Sequence, residues 1–329
     1  MDYTLLGRTG VSVSTLCFGT MTFGREADEE TSAKLFEMCL DTGINFFDCA
    51  DIYAGGRSEE ILGKLMAGMR DELVITSKVG MPSGEDRNAK GLSRRYIMRR
   101  VETSLKRLGT DTIDVYFCHT YDGRPDLHET LRALDDLVTQ GKIRYAGVSN
   151  WPAWRTAKAL GECDRLGLNS IHVLQPMYSL AKRTAEVEIL PMAAEENLGV
   201  ISYSPLGGGL LTGKYAGTSD AEGRLSSNEM YAERYRREMY HRTAERFTEF
   251  ASIKGIHPVT LAVAWVKAHP AITAPIIGAR NPEQLQPSLE AADYSMTPEE
   301  WEDISALTPP VPMATDRDEE RSGGGMFAK

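Results

Sequence analysis

Four side chains of different chemistry follow short apolar runs. Asp48 closes INFFD, Tyr53 lies in the loop beyond it, Lys78 follows LVITS, and His119 follows IDVYFC. An acid, a phenol, an ammonium and an imidazole in one place suit carbonyl reduction, in which hydride reaches the carbonyl carbon and the developing alkoxide needs a proton from a fixed donor. Tyr53 is the candidate donor. Its free pKa of about 10 is high for neutral pH, but an ammonium about 4 Å away at an effective dielectric near 20 is worth roughly 4 kcal/mol, or about three pKa units, so Lys78 is expected to make Tyr53 more acidic. Asp48 would keep a buried Lys78 charged, and a neutral His119 would orient the carbonyl oxygen. Singly, each residue has a structural explanation, as a capping acid, a loop aromatic, a solvated strand end or a satisfied polar group. Only the joint placement argues for a site.

That placement depends on the elements between them. Brief β-branched or aromatic runs at 15–18, 44–48, 73–77, 113–118, 143–148, 171–175, 199–203 and 274–277 read as eight strands. Helical periodicity fills the gaps near 29–41, 58–67, 93–108, 127–140, 152–166, 186–196, 243–254 with 258–268, and 282–292. Alternating strands and helices predict parallel pairing, and eight units fit an α/β fold of the TIM (β/α)8 barrel type. An open dinucleotide fold should carry G-x-G-x-x-G after its first strand, and Gly19-Thr-Met-Thr-Phe-Gly24 lacks that spacing. A short hairpin is expected ahead of the barrel, around Gly7–Gly10, within a single domain covering 1–329. A charged loop from Leu206 to Arg242 after the seventh strand is expected to act as a lid, and 308–329 to be a weakly ordered tail. In such a barrel the strand ends converge on one mouth. The polar strand ends continue with Ser149 and Asn150, Gln175 and Ser204.

Composition narrows the partners. A net charge of -10 argues against nucleic acid, and the run of Arg94, Arg95, Arg99 and Arg100 reads as a solvated helix face. No apolar stretch reaches the roughly 20 residues of a membrane span and the first residues do not resemble a signal peptide, so a cytoplasmic location is expected. Five scattered cysteines, with no CxxC pair, suit reduced thiols rather than disulfides or zinc. No metal is expected.

With Asp48 and Tyr53 in INFFDCADIYAGGRSEEILG, Lys78 in LVITSKVG and His119 after IDVYFC, the chain resembles the aldo-keto reductase superfamily over nearly its full length. The resemblance implies that these four form the family's catalytic tetrad. It further implies that Ser149, Asn150 and Gln175 hold a nicotinamide carboxamide, that Tyr203 stacks on the ring, and that Ser204, Leu206, Gly208 and Lys214 of YSPLGGGLLTGKY line the pyrophosphate. Gly278, Arg280 and Gln284 in IIGARNPEQL match the adenosine-end segment, where arginine faces a 2′-phosphate; this favours NADPH over NADH. An arginine fork suits a phosphate monoester, and a helix beginning near Pro282 would add its positive end. Pro287 and Ser288 depart from the family pattern near the adenine. Met21, Phe23, Tyr121 and Trp151 are the candidate pocket residues, suggesting an uncharged aldehyde or ketone as the small-molecule substrate. Oligomeric state is not legible.

The same residues admit three rival readings. Gly208 to Lys214 satisfies G-x-x-x-x-G-K, but Tyr215 stands where a P-loop needs Ser or Thr for magnesium. A glycosidase pairing Asp48 with Asp51 or Asp122 leaves Tyr53 and Lys78 idle. The third, an NADPH-binding regulatory subunit with little turnover, is the alternative that the tetrad itself does not separate from an enzyme.

Overall fold

The computed structural model describes residues 1–215 and 224–317. The antiparallel hairpin β1 (Tyr3–Leu5) and β2 (Ser12–Ser14) is followed by β3 (Cys17–Gly19), β4 (Phe46–Asp48), β5 (Val74–Val79), β6 (Ile113–Cys118), β7 (Ile143–Ser149), β8 (Ile171–Gln175), β9 (Gly199–Ser202) and β10 (Ala274–Ile277). These last eight are parallel and close as β10-β3-β4-β5-β6-β7-β8-β9, a TIM barrel. Each expected strand is present within a residue or two of its reading. β5 and β6 are buried at every position, which is why they read as unbroken apolar runs instead of alternating ones.

The helices are α1 (Glu29–Asp41), α2 (Arg57–Leu65), α3 (Arg94–Leu108), α4 (Leu127–Thr139), α5 (Ala153–Leu166), α6 (Ile189–Glu195), α7 (Arg224–Ser227), α8 (Glu229–Arg234), α9 (Glu238–Lys254), α10 (Pro258–Lys267), α11 (Pro282–Leu289) and α12 (Pro298–Ser305). Side-chain caps start several of them: Asp28 accepts from Thr31, Ser93 from Tyr96, Asp126 from His128 and Asn281 from Gln284. Gly109, Gly167 and Gly255 end three in the left-handed conformation. No helix among the described residues is long and apolar enough to cross a membrane.

Two cores share the barrel wall. The inner one, with Val13, Cys17, Phe46, Val115, Phe117 and Val173, is plugged at the amino end by Leu6 of the hairpin. There the Arg8 amide donates to Asn197 and the Tyr145 hydroxyl to Thr9 O. The outer core lies between strands and helices. All five cysteines are free thiols and all are buried.

Three expectations change. The Leu206–Arg242 stretch is not an irregular loop: it contains a 3-10 turn (Gly207–Thr212), α7, α8 and the first turn of α9, with 216–223 outside the described residues. α12 was not foreseen, although Thr297 with Pro298, Glu299 and Glu300 is a clear helix start. In the arginine run, Arg94, Arg95 and Arg99 are exposed as expected, but Arg100 is buried. Of the tail, 308–317 holds no helix or strand and 318–329 lies outside the described residues.

Candidate active site

β4 and β5 pair so that Asp48 lies opposite Thr76. Side chains repeat every second residue along a strand, so Lys78 projects to the same side as Thr76. Both reach the same carboxylate. Lys78 Nζ stands 2.6 Å from Asp48 Oδ2, and Thr76 Oγ1 donates to Oδ1 at 2.7 Å. Gln175, arriving from β8, donates its amide to Oδ1 at 2.8 Å. A buried carboxylate is tolerable only with such partners. Thr76 and the Gln175 link to Asp48 were not foreseen. The Asp48 carbonyl accepts from both the amide and hydroxyl of Thr20, tying β4 to the loop after β3.

Lys78 also donates to Cys49 O at 2.8 Å and to the Tyr53 hydroxyl at 3.3 Å. Burial alone would strip its charge, but Asp48 and then Tyr53 hold its pKa above the ordinary lysine value. For Tyr53 the expectation is reversed. Burial outweighs the attraction of Lys78, which Asp48 further offsets, so the phenol is pushed up to about 12. The simple charge pair omitted the desolvation of the phenolate. His119 faces Tyr53 edge-on, ring centroids 6.1 Å apart. Burial first, then Lys78, lowers its pKa to about 3, so at neutral pH it is an uncharged imidazole. Its Nδ1 is buried without a partner.

Tyr53 sits in a tight turn, Tyr53–Gly56, in which Ala54, Gly55 and Gly56 all have positive φ. Two arginines of α3 hold that turn from behind. Arg100 Nε meets Asp51 Oδ2 at 2.8 Å, while Arg107 donates to Asp51 O at 3.0 Å, to Gly55 O at 3.3 Å and to Glu59 Oε2 at 3.2 Å. A Cβ on Gly56, at φ 102, would lie 2.1 Å from the Arg107 guanidinium carbon, so glycine is required there. The other Glu59 oxygen accepts from Ser77, the neighbour of Lys78, at 2.6 Å. One buried ion network therefore braces the backbone on both sides of the Tyr53–Lys78 contact. Asp51 faces this network and Asp122 is bound to Arg124, so neither opposes Asp48 as a second carboxylate.

At the neighbouring strand ends, Ser149 donates to Gln175 O at 2.9 Å. Asn150, at φ 58, donates to His119 O at 3.0 Å and accepts from the Tyr203 hydroxyl at 2.6 Å. Ser149, Asn150, Gln175 and Tyr203 thus form one cluster beside the tetrad. Beyond it, Ser204 (φ 61) and Leu206 lead into Gly207, Gly208 and Gly209 at φ 58, 67 and 98, a backbone cradle with little side-chain bulk. A Cβ on Gly208 would meet Tyr231 of α8 at 2.9 Å, and Lys214 Nζ lies close to Gly209. Tyr231 and α8 were not foreseen as neighbours of this cradle. After β10, Gly278 is exposed, and the Arg280 guanidinium makes no ion pair or hydrogen bond among the described residues. Gln284 Oε1 accepts from the Arg280 amide at 3.3 Å, ordering the start of α11. A ring-facing polar cluster, a glycine cradle and an unpaired arginine at a helix start fit a nicotinamide dinucleotide in donor chemistry.

The model of the Aldo/keto reductase family matches residues 15–309. The chain belongs to that family. It is 40% identical over 310 residues to "Uncharacterized oxidoreductase YrpG" of Bacillus subtilis, covering 91% of this chain and 93% of that protein. It is 36% identical to "Probable voltage-gated potassium channel subunit beta" of Arabidopsis thaliana, covering 89% and 92%. To "Norsolorinic acid reductase" of Aspergillus flavus it is 32% identical, covering 93% and 80%. Membership makes it an NAD(P)-dependent oxidoreductase of a family that acts on small carbonyl compounds.

In this aldo/keto reductase the pocket candidates divide. Met21 is partly exposed, and Tyr121 meets Trp151 edge-on at 5.9 Å. Phe23 is fully buried against Phe18, centroids 5.7 Å apart, and offers no surface at the mouth. Its backbone explains this, since Phe23 bridges to Ala27 and turns its ring into the outer core. Trp154 is 60% exposed and Arg155 lies over Tyr121; neither Trp154 nor Arg155 was among the pocket candidates.

Proposed function

We propose that the protein reduces an aldehyde or ketone to an alcohol with NADPH. Tyr53 serves as proton donor, Lys78 and Asp48 support it, and His119 orients the carbonyl. The observation that carries this reading is the chain of contacts from Asp48 through Lys78 to the Tyr53 hydroxyl, beside a neutral His119 at the carboxyl ends of the barrel strands. When bound, the dinucleotide supplies hydride. As charge develops on the carbonyl oxygen, Tyr53 Oη releases its proton to that oxygen. A phenol with a pKa near 12 is fully protonated at physiological pH, yet remains a stronger acid than an aliphatic alcohol, so proton transfer to the developing alkoxide runs downhill. Lys78 then faces the phenolate across 3.3 Å, with its charge held by Asp48. Neutral His119 can donate one hydrogen bond to the same oxygen without competing as an acid.

Ser149, Asn150 and Gln175 would hold the carboxamide and Tyr203 the ring. Ser204, Leu206, Gly208 and Lys214 would take the pyrophosphate, and Gly278, Arg280 and Gln284 the adenosine end. The unpaired Arg280 supports NADPH over NADH, because a 2′-phosphate would complete its charge. We read the chain as one barrel domain acting in the cytoplasm.

The decisive experiment titrates purified protein with NADPH and NADH, then follows absorbance at 340 nm with a panel of aldehydes and ketones. Multiple turnovers that vanish in Tyr53→Phe, with NADPH still bound, are expected; full turnover in that variant defeats the mechanism. The similarity to proteins named as potassium channel beta subunits supports a second reading, an NADPH-binding regulatory subunit. Tight NADPH binding followed by a single slow turnover would favour it.

A further inference from the structure

We propose that the rim built from Tyr121, Trp151, Trp154 and Arg155 selects carbonyl substrates bearing a carboxylate on an aromatic body, with Arg155 binding the carboxylate. This rests on the carbonyl-reductase reading and names its substrate class. Arg155 lies in the first turn of α5, five residues beyond Asn150. Its guanidinium carbon is 4.9 Å from the ring centroid of Tyr121 and 5.7 Å from that of Trp154. Its Nε is buried with no acceptor, and the side chain forms no ion pair among the described residues.

The contrast with Arg124 is informative. Arg124 meets both Asp122 oxygens at 2.9 Å, so its charge is already answered by the protein. Arg155 has aromatic faces instead of an acid, and the first turn of its helix carries no acidic side chain. Partly desolvating a cation without a counter-ion costs free energy that ring faces only partly offset. An incoming carboxylate would answer that charge in the bidentate geometry for which a guanidinium is shaped.

Position links the rim to the chemistry. Tyr121 is two residues past His119, and Trp151 follows Asn150, which is bonded to His119 O. Trp151 is buried apart from 5% of its surface, and its Nε1 has no partner. Exposed Trp154 extends the aromatic wall towards solvent. An aromatic aldehyde whose carbonyl lies at Tyr53 and His119 would place its far end along this wall. The uncharged pocket expected from Met21, Tyr121 and Trp151 thus gains a positive end.

The test compares 4-carboxybenzaldehyde with 4-methylbenzaldehyde in the wild type, R155Q and R155K. The wild type is expected to prefer the carboxylate by about 10- to 100-fold in kcat/KM, through KM, with the preference shrinking in high salt. R155Q should lower kcat/KM for the carboxylate about 10- to 100-fold more than for the methyl substrate, so that the preference is lost, and R155K should recover part of it. Equal kcat/KM for both substrates in the wild type, or equal losses in R155Q, overturns the proposal and leaves the reductase reading intact. Tryptophan fluorescence quenching by terephthalate, compared with 4-methylbenzoate, provides a readout without turnover. Terephthalate binding that depends on Arg155, in a protein that turns over neither aldehyde, would uphold the anion site and sink the reductase reading instead. Weak, Arg155-independent binding of both acids would overturn the anion site whatever the turnover.

Discussion

His119 and Asp51 are shifted in opposite senses by the same cause, burial, because one is charged when protonated and the other when deprotonated. His119 falls from 6.5 to about 3, so the unfolded chain takes up that proton first, and stability is lost as pH falls from about 6.5 towards 3. Asp51 rises from 3.8 to about 6, so the folded chain holds the proton more tightly, and stability is lost as pH rises from about 3.8 through 6. Between roughly pH 4 and 6 the two contributions oppose each other. Asp51→Asn is therefore expected to steepen the acid loss of stability across that interval, and His119→Asn to flatten it. Urea midpoints at half-unit pH steps would check this; parallel curves for both variants and the wild type would refute the assignment. At this scale much of the candidate site was legible, because Asp48, Lys78 and His119 each end or follow an apolar run. Asp51, Glu59, Arg100 and Arg107 were not legible as a unit, since they meet only when α3 packs behind the Tyr53 turn. The acidity of Tyr53 was misjudged because a pairwise charge argument has no access to burial.

The element that sets the position of Tyr53 is α3, whose Arg100 and Arg107 hold the Tyr53 turn from behind. Replacing Arg107 with Met leaves the fully buried Glu59 without its arginine and frees Gly55 O of the turn, while Asp51 O keeps its bond from Arg100 at 3.3 Å. A loss of about 3 to 5 kcal/mol in unfolding free energy is expected from the stranded charge. A displacement near 1 Å at Tyr53 would lower kcat by roughly 100-fold, with NADPH affinity unchanged. Adding Glu59→Gln should restore part of the stability without restoring kcat, separating the two effects in one double-variant cycle. Equal recovery of both would mean that α3 contributes bulk stability alone. Elsewhere, α8 and the 3-10 turn show why the insertion after β9 was misread: its helices are short, and their burial against Gly208 depends on contacts that carry no periodic signal.

For the whole molecule, the barrel was readable because its parallel strands are covered on both faces and so appear as continuous apolar runs, separated by segments of helical period. The hairpin was readable as an element but not as a plug. Leu6 fills the amino end of the inner core, at the opposite end of the strands from the tetrad. Leu6→Ala should cost about 2 to 5 kcal/mol of stability while leaving kcat/KM at 25 °C unchanged, as a denaturation curve and an assay on the same sample would show. The five cysteines have a consequence of a different kind. Burial pushes the thiols of Cys49 and Cys118 up to about 12 and that of Cys163 to about 11, and Cys17 and Cys39 are raised as well. Thiolate, the form that attacks electrophiles, is thereby suppressed throughout a protein whose proposed substrates are themselves electrophiles. The same feature makes the chain its own opening gauge: with Cys17 in β3, Cys118 in β6, Cys39 in α1 and Cys163 in α5, the order in which labels enter under native conditions should trace which staves of the barrel part first, and a thiol that labels at once in the intact fold would contradict this arrangement.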